Sequence, residues 1–245
     1  MKWWMVTVFG LFVWPHSAQA TSVEEILSSM DRNLNFESRY TRATMTVSKP
    51  RRDKVYELET WGRGLDTAAT AFHSPRRDAG TKMLKKGGEL WMYMPAIERV
   101  QKISGHMLRQ GMMGSDLSYE DLLQFTQWSA AYAATLNGEE ACGEHVCWTL
   151  KLEARSSDVA YPTRLVWVDQ TTRIPVRQEL YALSGMLLKT WSMEAPQQFE
   201  ERWYPTRMVF EDKLQEGTRT VLEFRDLRFG AGVDESVFGR RWLER

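Results

Sequence analysis

The stretch KMLKKGGELWMYMP, residues 82–95, joins two short runs through a pair of glycines and ends at a proline. Lys82–Lys86 and Glu89–Met94 have the length of strands, and the glycines between them indicate a turn. The second run places large side chains at five consecutive positions, Leu90 to Met94, so they point to both faces of a strand. Such a strand has to be covered on both faces. An ordinary core covers one face, and a helix, a loop or a bound ligand has to cover the other.

Similar short runs, separated by Gly, Pro, Asp or Ser, fill most of the chain on either side of this stretch. The further predicted strands are Tyr40–Val47, Lys54–Trp61, Ala68–His73, Val146–Glu153, Arg164–Asp169, Val176–Leu183, Leu187–Met193, Arg207–Glu211 and Thr218–Phe229. Together they indicate about 10 to 11 antiparallel strands. With one amphipathic helix in front of them, they predict a mainly β (α+β) fold, either a curved sheet or an open barrel.

That helix is predicted over residues 22–35. Ser22 and Glu25 have the spacing of a capping box at its start. Its apolar residues fall on one helical face, and they are Val23, Ile26, Leu27, Met30 and Leu34. The pattern therefore predicts one amphipathic helix of about three turns.

A nine-residue stretch occurs twice. YPTRLVWVD spans 161–169 and YPTRMVFED spans 204–212, with six identical positions. Chance identity is one interpretation. The other is that both copies start a strand in the same way, with Trp167 and Phe210 on the same face of the sheet.

The chain begins with a pattern typical of a secretory signal peptide. Lys2 is followed by a mostly apolar run of 12 residues, Trp3–Trp14, and then by the Ala18-Gln19-Ala20 cleavage pattern. No cysteine follows this site, so a lipid anchor is not expected. No later stretch reaches the ~18 apolar residues of a membrane-spanning helix, so we expect no stable membrane insertion. The predicted organisation is a cleaved signal peptide, residues 1–20, and a single domain, residues 21–245.

Charge and motifs argue against two broad functional classes. The chain has 32 basic and 32 acidic residues, and this balance argues against binding to nucleic acid through its phosphates. It contains no P-loop, no G-x-G-x-x-G and no G-x-S-x-G. The histidines of the mature chain, His73, His106 and His145, are far apart. We therefore expect no catalytic residues, no metal site and no cofactor.

Cys142 and Cys147 lie close together in ACGEHVCW. In an exported protein they predict a disulfide that closes a hairpin and stabilises the fold by about 2 kcal/mol. A redox pair and half of a metal site are the alternatives.

The stretch GMMGSDLSYEDLLQF, residues 111–125, combines a flexible, apolar turn with a helix predicted over Ser118–Gln127. Ser118 and Asp121 again have capping spacing. Methionine adapts to varied apolar partners, and glycine permits unusual backbone angles. The segment is therefore interpreted as an adaptable lid over an open barrel. The alternative is that the methionines of this region, Met107, Met112 and Met113, fill gaps in the core beneath a loop.

KMLKKGGELWMYMPAIERVQKISG (82–105) and GMMGSDLSYEDLL (111–123) resemble the outer-membrane lipoprotein-sorting family related to LolA and LolB. The shared pattern is a Lys-rich turn, W-x-Y-x-P, a basic strand, M-G-S-D and a Y-E-D helix. The resemblance covers essentially all of residues 21–245, including WVDQTTRIPVRQELYALSGMLLKT (167–190). It implies an open antiparallel barrel, closed by helices on its concave side, that carries acyl chains of a lipoprotein or lipid through the periplasm towards the outer membrane.

Family members that share this pattern form a subgroup, and they resemble companion proteins of resistance-nodulation-division type exporters. The resemblance therefore implies an inner-membrane exporter as an alternative partner. In that alternative the protein has no cargo, its barrel is filled, and the partner binds exposed loops such as Lys82–Gly88 or Arg99–Gly105. The identity of the cargo and the face of Glu89–Met94 that lines the cavity stay open.

If the protein is a carrier, two groups of residues build the site. Asp116 and Ser118 are expected to cap the helix and anchor the lid. An alternative for Asp116 and Glu120 is contact with a headgroup or a partner. The cavity and lid are expected to use the apolar residues Trp91, Tyr93, Met107, Met112, Met113, Leu117, Trp148 and Trp167.

Overall fold

The computed structural model of the protein describes residues 21–124, 127–230 and 232–244. The predicted signal peptide, its cleavage after Ala20 and the predicted helical residue Phe125 lie outside these ranges. The described helices are α1 (Val23–Leu34), α2 (Tyr119–Leu123), α3 (Trp128–Ala131) and α4 (Arg240–Leu243). None of these helices has the length and apolarity needed to cross a membrane.

Thirteen antiparallel strands form one sheet. They are β1 (Ser38–Ser48), β2 (Lys54–Arg63), β3 (Thr67–Ser74), β4 (Lys82–Lys86), β5 (Glu89–Met94), β6 (Arg99–Ile103), β7 (Tyr132–Cys142), β8 (His145–Ala154), β9 (Thr163–Asp169), β10 (Pro175–Tyr181), β11 (Leu187–Phe199), β12 (Arg202–Asp212) and β13 (Arg219–Phe229). The order across the sheet is β6-β5-β4-β3-β2-β1-β13-β12-β11-β10-β9-β8-β7. Pairing of β1 with β13 joins the two halves of the chain, and the edges β6 and β7 stay apart. The predicted open antiparallel barrel is therefore confirmed.

The two edge strands are additions to the predicted set. In β6, Arg99, Gln101 and Lys102 are exposed, and most of β7 is exposed as well, so neither strand shows a regular apolar alternation. Charged, exposed edges are common because they discourage pairing with other chains. The two segments proposed above as exposed loops for an exporter are corrected accordingly, because Lys82–Lys86 and Arg99–Ile103 are strands.

Helix α1 begins where the sequence predicts and covers one end of the concave face. The Ser22 side chain accepts a hydrogen bond from the Glu25 backbone nitrogen at 3.1 Å. Its apolar face packs on β8 and β9 in a cluster that contains Ile26, Leu27, Met30, Trp148, Leu150, Leu152, Val166 and Val168. The helix therefore closes this end of the sheet.

Strand β5 is covered on both faces, as its run of large residues predicts. Leu90 and Met92 belong to the main core on the concave face. Trp91 and Tyr93 point to the opposite face, where the C-terminal segment packs against them through Val237, Phe238 and Leu243. A helical segment of the protein itself covers this outer face.

The two copies of the repeated stretch bury different positions of the pattern. In the second copy, Met208 and Phe210 are buried in the concave core. In the first copy, Arg164 and Val166 are buried, whereas Trp167 stays partly exposed. Since side chains alternate along a strand, a shift of one position reverses the faces. The prediction that Trp167 and Phe210 share one face was wrong for this reason.

Candidate functional site

Residues 105–124, hereafter the cover segment, cross the concave face of the sheet. The segment contains the 3-10 turns Gly105–Arg109 and Met112–Gly114, followed by α2. Its turn is tight, because the Met112 backbone nitrogen donates to the Leu117 carbonyl at 2.7 Å. A Cβ atom on Gly111 would lie 2.0 Å from the Ser115 carbonyl oxygen, so only glycine fits there.

Ser118 starts α2 through a reciprocal capping box. Its hydroxyl accepts from the Asp121 backbone nitrogen at 3.2 Å, and the Asp121 carboxylate accepts from the Ser118 backbone nitrogen at 2.7 Å. Asp116 has a different role from the helix cap expected of it. Its carboxylate accepts from the hydroxyls of Thr218 and Thr220, the latter at 2.6 Å, so it ties the turn to β13.

Asp121 also binds the helix to the opposite part of the sheet. Its carboxylate accepts a hydrogen bond from the Tyr161 hydroxyl at 2.6 Å and forms an ion pair with the Lys189 ammonium at 2.5 Å. Burial and the neighbouring carboxylate raise the pKa of Tyr161, which keeps the phenol protonated as the donor. The cover segment is therefore attached to the sheet at two points in its second half, through Asp116 and through Asp121.

An apolar cavity of about 200 Å³ lies between the cover segment and the sheet. Met112 and Leu117 line it from the segment. From the sheet, the lining comes from both halves of the chain and includes Met45, Leu58, Phe72, Met83, Trp191, Met193, Met208 and Phe210. Opposite walls of one curved sheet thus face each other across this space.

The size of the cavity limits what fits inside it in this state. Apolar cavities of ~150 Å³ admit a benzene molecule, whereas pockets that enclose drug-sized ligands span ~300–1,000 Å³. The present volume matches a short segment of hydrocarbon. A longer chain needs more space than this volume provides.

Four charged side chains also line the cavity, namely Arg39, Lys85, Asp121 and Arg164. Burial lowers the pKa of Lys85 to about 8. Asp121 is already paired with Lys189, and none of the three cations forms an ion pair within the part of the chain that the structure describes. The polar part of the lining is therefore electropositive.

The structure separates the predicted site residues into groups. Met112 and Leu117 line the cavity, and Met107 and Met113 pack against the same core. The prediction was wrong for the other four residues, which lie outside both the lining and this core. Trp91 and Tyr93 lie on the outer face, Trp148 is buried beneath α1, and Trp167 faces outward with the Arg177 guanidinium 4.6 Å from its ring centre.

Most of the lining comes from residues that sequence reasoning did not select. Met208 and Phe210 in β12, and Leu222 and Phe224 in β13, are spaced two apart, which is the alternation of a half-buried strand. That signal was present in the sequence. The sequence does not show, however, that these strands face the cover segment.

The predicted disulfide between Cys142 and Cys147 is present and closes the hairpin of β7 and β8. Over the described ranges, no group of three or more His, Cys, Asp or Glu side chains is arranged to hold a metal ion.

Comparison with known proteins gives a consistent picture. A family model described as "Uncharacterized protein" matches residues 64–245. No curated protein sequence matches the chain significantly. Among solved structures, a DUF1329 family protein from Desulfovibrio piger has a TM-score of 0.82 and 25% identity, with 90% of this chain and 97% of that chain covered.

Two further solved structures share the fold. One is described as an outer membrane lipoprotein-sorting protein domain from Vibrio parahaemolyticus, with a TM-score of 0.80, 24% identity, and 91% of this chain and 98% of that chain covered. The other is a LolA superfamily protein from Nitrosomonas europaea, with a TM-score of 0.75, 24% identity, and coverage of 91% and 100%. The chain therefore belongs to the family of the model that matches residues 64–245, and it has the LolA-like fold of these solved structures.

Proposed function

We propose that the protein is a periplasmic carrier that binds acyl chains of a lipoprotein or lipid and moves them towards the outer membrane. The apolar cavity between the concave face and the cover segment is the observation that carries this proposal. The fold that the protein shares with a LolA superfamily protein and a lipoprotein-sorting protein domain supports the proposal. The role is binding and transfer, and it requires no catalytic residue, metal or cofactor.

The physical chemistry of the site suits a carrier. Each methylene that leaves water gains roughly 0.8 kcal/mol, so even a short buried segment of hydrocarbon contributes appreciable affinity. A carrier also has to release its cargo. The cover segment is attached by polar contacts of Asp116 and Asp121, which exchange with water when the segment opens. We propose that opening of this segment admits the rest of the chain.

Native mass spectrometry tests the proposal on protein purified gently and without detergent. The wild-type protein should carry an additional mass in the range of a lipid or acyl group. Ala68→Phe places an aromatic ring in the cavity and should lower the lipid-bound fraction several-fold. Ala133→Phe makes the same change at an exposed position of β7 and serves as the matched control.

Wild-type protein without bound lipid would contradict the proposal. Wild-type protein that stays bare after incubation with a lipid extract, and behaves like Ala68→Phe, has no cargo site in this cavity. That result favours the alternative of an accessory partner of an inner-membrane exporter without cargo of its own.

A further inference from the structure

Arg164, on β9, is buried in the cavity wall with 4% of its surface exposed. Its guanidinium lies 5.2–5.7 Å from the ring centres of Tyr132, Tyr161, Trp128 and Trp191. Its Nε donates to the Tyr132 hydroxyl at 2.9 Å. A buried cation costs free energy unless it is paired, and Arg164 forms no ion pair within residues 21–124, 127–230 and 232–244.

Two further hydrogen-bond donors around Arg164 have no acceptor. Gln178 accepts from the Arg164 guanidinium at 3.5 Å through its oxygen, but its amide nitrogen has no partner among the described residues. The Trp191 indole nitrogen is also without a partner in the described part of the chain, and Trp191 pairs directly with Gln178 across β10 and β11. Buried donors are normally satisfied, and Trp191 lines the cavity together with Arg164, so these two donors fit an acceptor supplied by a ligand there.

The charges of the cavity indicate the sign of that acceptor. Within the described part of the chain, Arg39, Lys85 and Arg164 line the cavity without an ion pair, whereas the carboxylate that lines it, Asp121, is paired with Lys189. An anionic group would be attracted to this lining, and a guanidinium binds oxyanions through charge-assisted hydrogen bonds.

We propose that the Arg164 end of the cavity is a subsite for the oxyanion of an amphiphile, such as a carboxylate or a phosphate. The attached hydrocarbon lies in the apolar part of the same cavity. This inference rests on the proposed function and names its substrate class, an anionic amphiphile. The aromatic rings around Arg164 exclude water, which strengthens the interaction with an anion.

A comparison of two ligands tests the subsite in the wild-type protein. Dodecanoate and dodecanol have the same chain length and differ in the charge of the head. Isothermal titration at neutral pH should show dodecanoate binding about ten-fold more tightly, a difference of about 1.4 kcal/mol. Acetate, which lacks the chain, should not bind in the same concentration range.

Substitutions of Arg164 test whether this side chain causes the tighter binding of dodecanoate than of dodecanol. Arg164→Met should abolish the preference for dodecanoate, and Arg164→Lys should keep part of it. Arg177→Met is the matched control, because Arg177 also stacks on a tryptophan but is exposed and paired with Glu179. If Arg164→Met does not fold, the wild-type comparison and Arg164→Lys still decide.

The possible failures are distinguishable. Absence of binding by both dodecanoate and dodecanol contradicts the carrier function itself. Equal binding of the two in the wild-type protein overturns only the oxyanion subsite and leaves Arg164 as a structural partner of its aromatic rings. Acetate binding as tight as that of dodecanoate would also overturn it, since the site would then serve a free anion.

Discussion

The Asp121 side chain connects α2 to two parts of the chain that are distant in sequence. It caps α2, pairs with Lys189 on β11 and accepts from Tyr161. Asp121 is 1% exposed and Lys189 is 8% exposed, so the pair is shielded from water. Removing one partner of a buried ion pair leaves an uncompensated charge, which destabilises more than the pair itself contributes.

Asp121→Asn should therefore lower the free energy of unfolding by about 3–5 kcal/mol. Urea denaturation measures the change. Asp226→Asn is the control, because Asp226 pairs with Arg228 at the surface, where a pair contributes ~0–1 kcal/mol. The double variant Asp121→Asn with Lys189→Met should recover part of the loss. Equal, small effects of Asp121→Asn and Asp226→Asn would contradict this account.

Lys85 gives the molecule a specific pH dependence. Burial lowers its pKa from 10.5 to about 8, so the unfolded chain holds this proton more tightly than the folded protein does. The contribution of Lys85 to stability therefore rises as the pH increases from about 8 to about 10.5. Below pH 8 the charged amine is buried at a cost on the order of 3 kcal/mol.

Lys85→Met should accordingly stabilise the protein at pH 7, by a margin that shrinks towards pH 10. Urea unfolding of both proteins at pH 7 and at pH 9.5 measures the margin. Lys86→Met, at an exposed neighbouring position, should change little at either pH. A margin that is the same at both pH values would show that desolvation does not govern Lys85.

Sequence reasoning reached the local contacts of these residues but missed the distant ones. Ser118 and Asp121 are three residues apart, and their capping spacing is visible in one sequence. The partner Lys189 is 68 residues from Asp121. Nothing in the local pattern distinguishes it from the exposed lysines, because its burial depends on where β11 lies in the sheet.

Among the elements, the cover segment depends on one close backbone approach. The turn after Gly111 folds back so far that a methyl group there would overlap the Ser115 carbonyl. The backbone angle of Gly111 is ordinary, so the requirement is for space and not for unusual torsion.

Gly111→Ala should loosen residues 111–118 and increase their hydrogen–deuterium exchange by at least several-fold. The strands of the sheet should keep their protection, because the clash is confined to the turn. Gly232→Ala is the matched control, as nothing lies within 4 Å of a Cβ atom there. Unchanged exchange in Gly111→Ala would show that the turn adapts without opening.

The edge hairpin of β7 and β8 relies on the disulfide. Replacing Cys142 and Cys147 together with serine should lower the free energy of unfolding by about 2 kcal/mol, because the bond closes only a short loop. Urea unfolding of the double variant measures this loss. Increased exchange should appear mainly in β7, which has a partner on one side only. Fraying of β6, the other edge, would contradict the assignment of the effect to this hairpin.

The strands were predictable where an apolar run has clear ends in the sequence. The limits of β4 and β5 match the sequence prediction, since glycines and a proline mark their ends. Strands β6 and β7 were not predicted, because their exposed, polar residues resemble those of loops. The helix predicted over Ser118–Gln127 is shorter in the structure, where α2 ends at Leu123.

At the level of the whole molecule, the two faces of the sheet are used differently. The outer face of β3–β5 is packed by the C-terminal segment, whereas the concave face holds α1 at one end and a cavity beneath the cover segment. The open barrel was predictable from the strand pattern and the family resemblance. The lining was not, because which tryptophans face inward depends on the phase of each strand. The proposed function requires that this cavity takes up an acyl chain.

A crystal structure with dodecanoate that carries bromine on its terminal carbon tests this claim most directly, since anomalous scattering locates the bromine. If the cavity binds acyl chains, a bromine peak is expected in its apolar part, near Phe72 and Met208. The carboxylate should lie towards Arg164, and the cover segment should be displaced. Bromine found only outside the cavity, with Met112 and Leu117 in unchanged contact with the sheet, would contradict it.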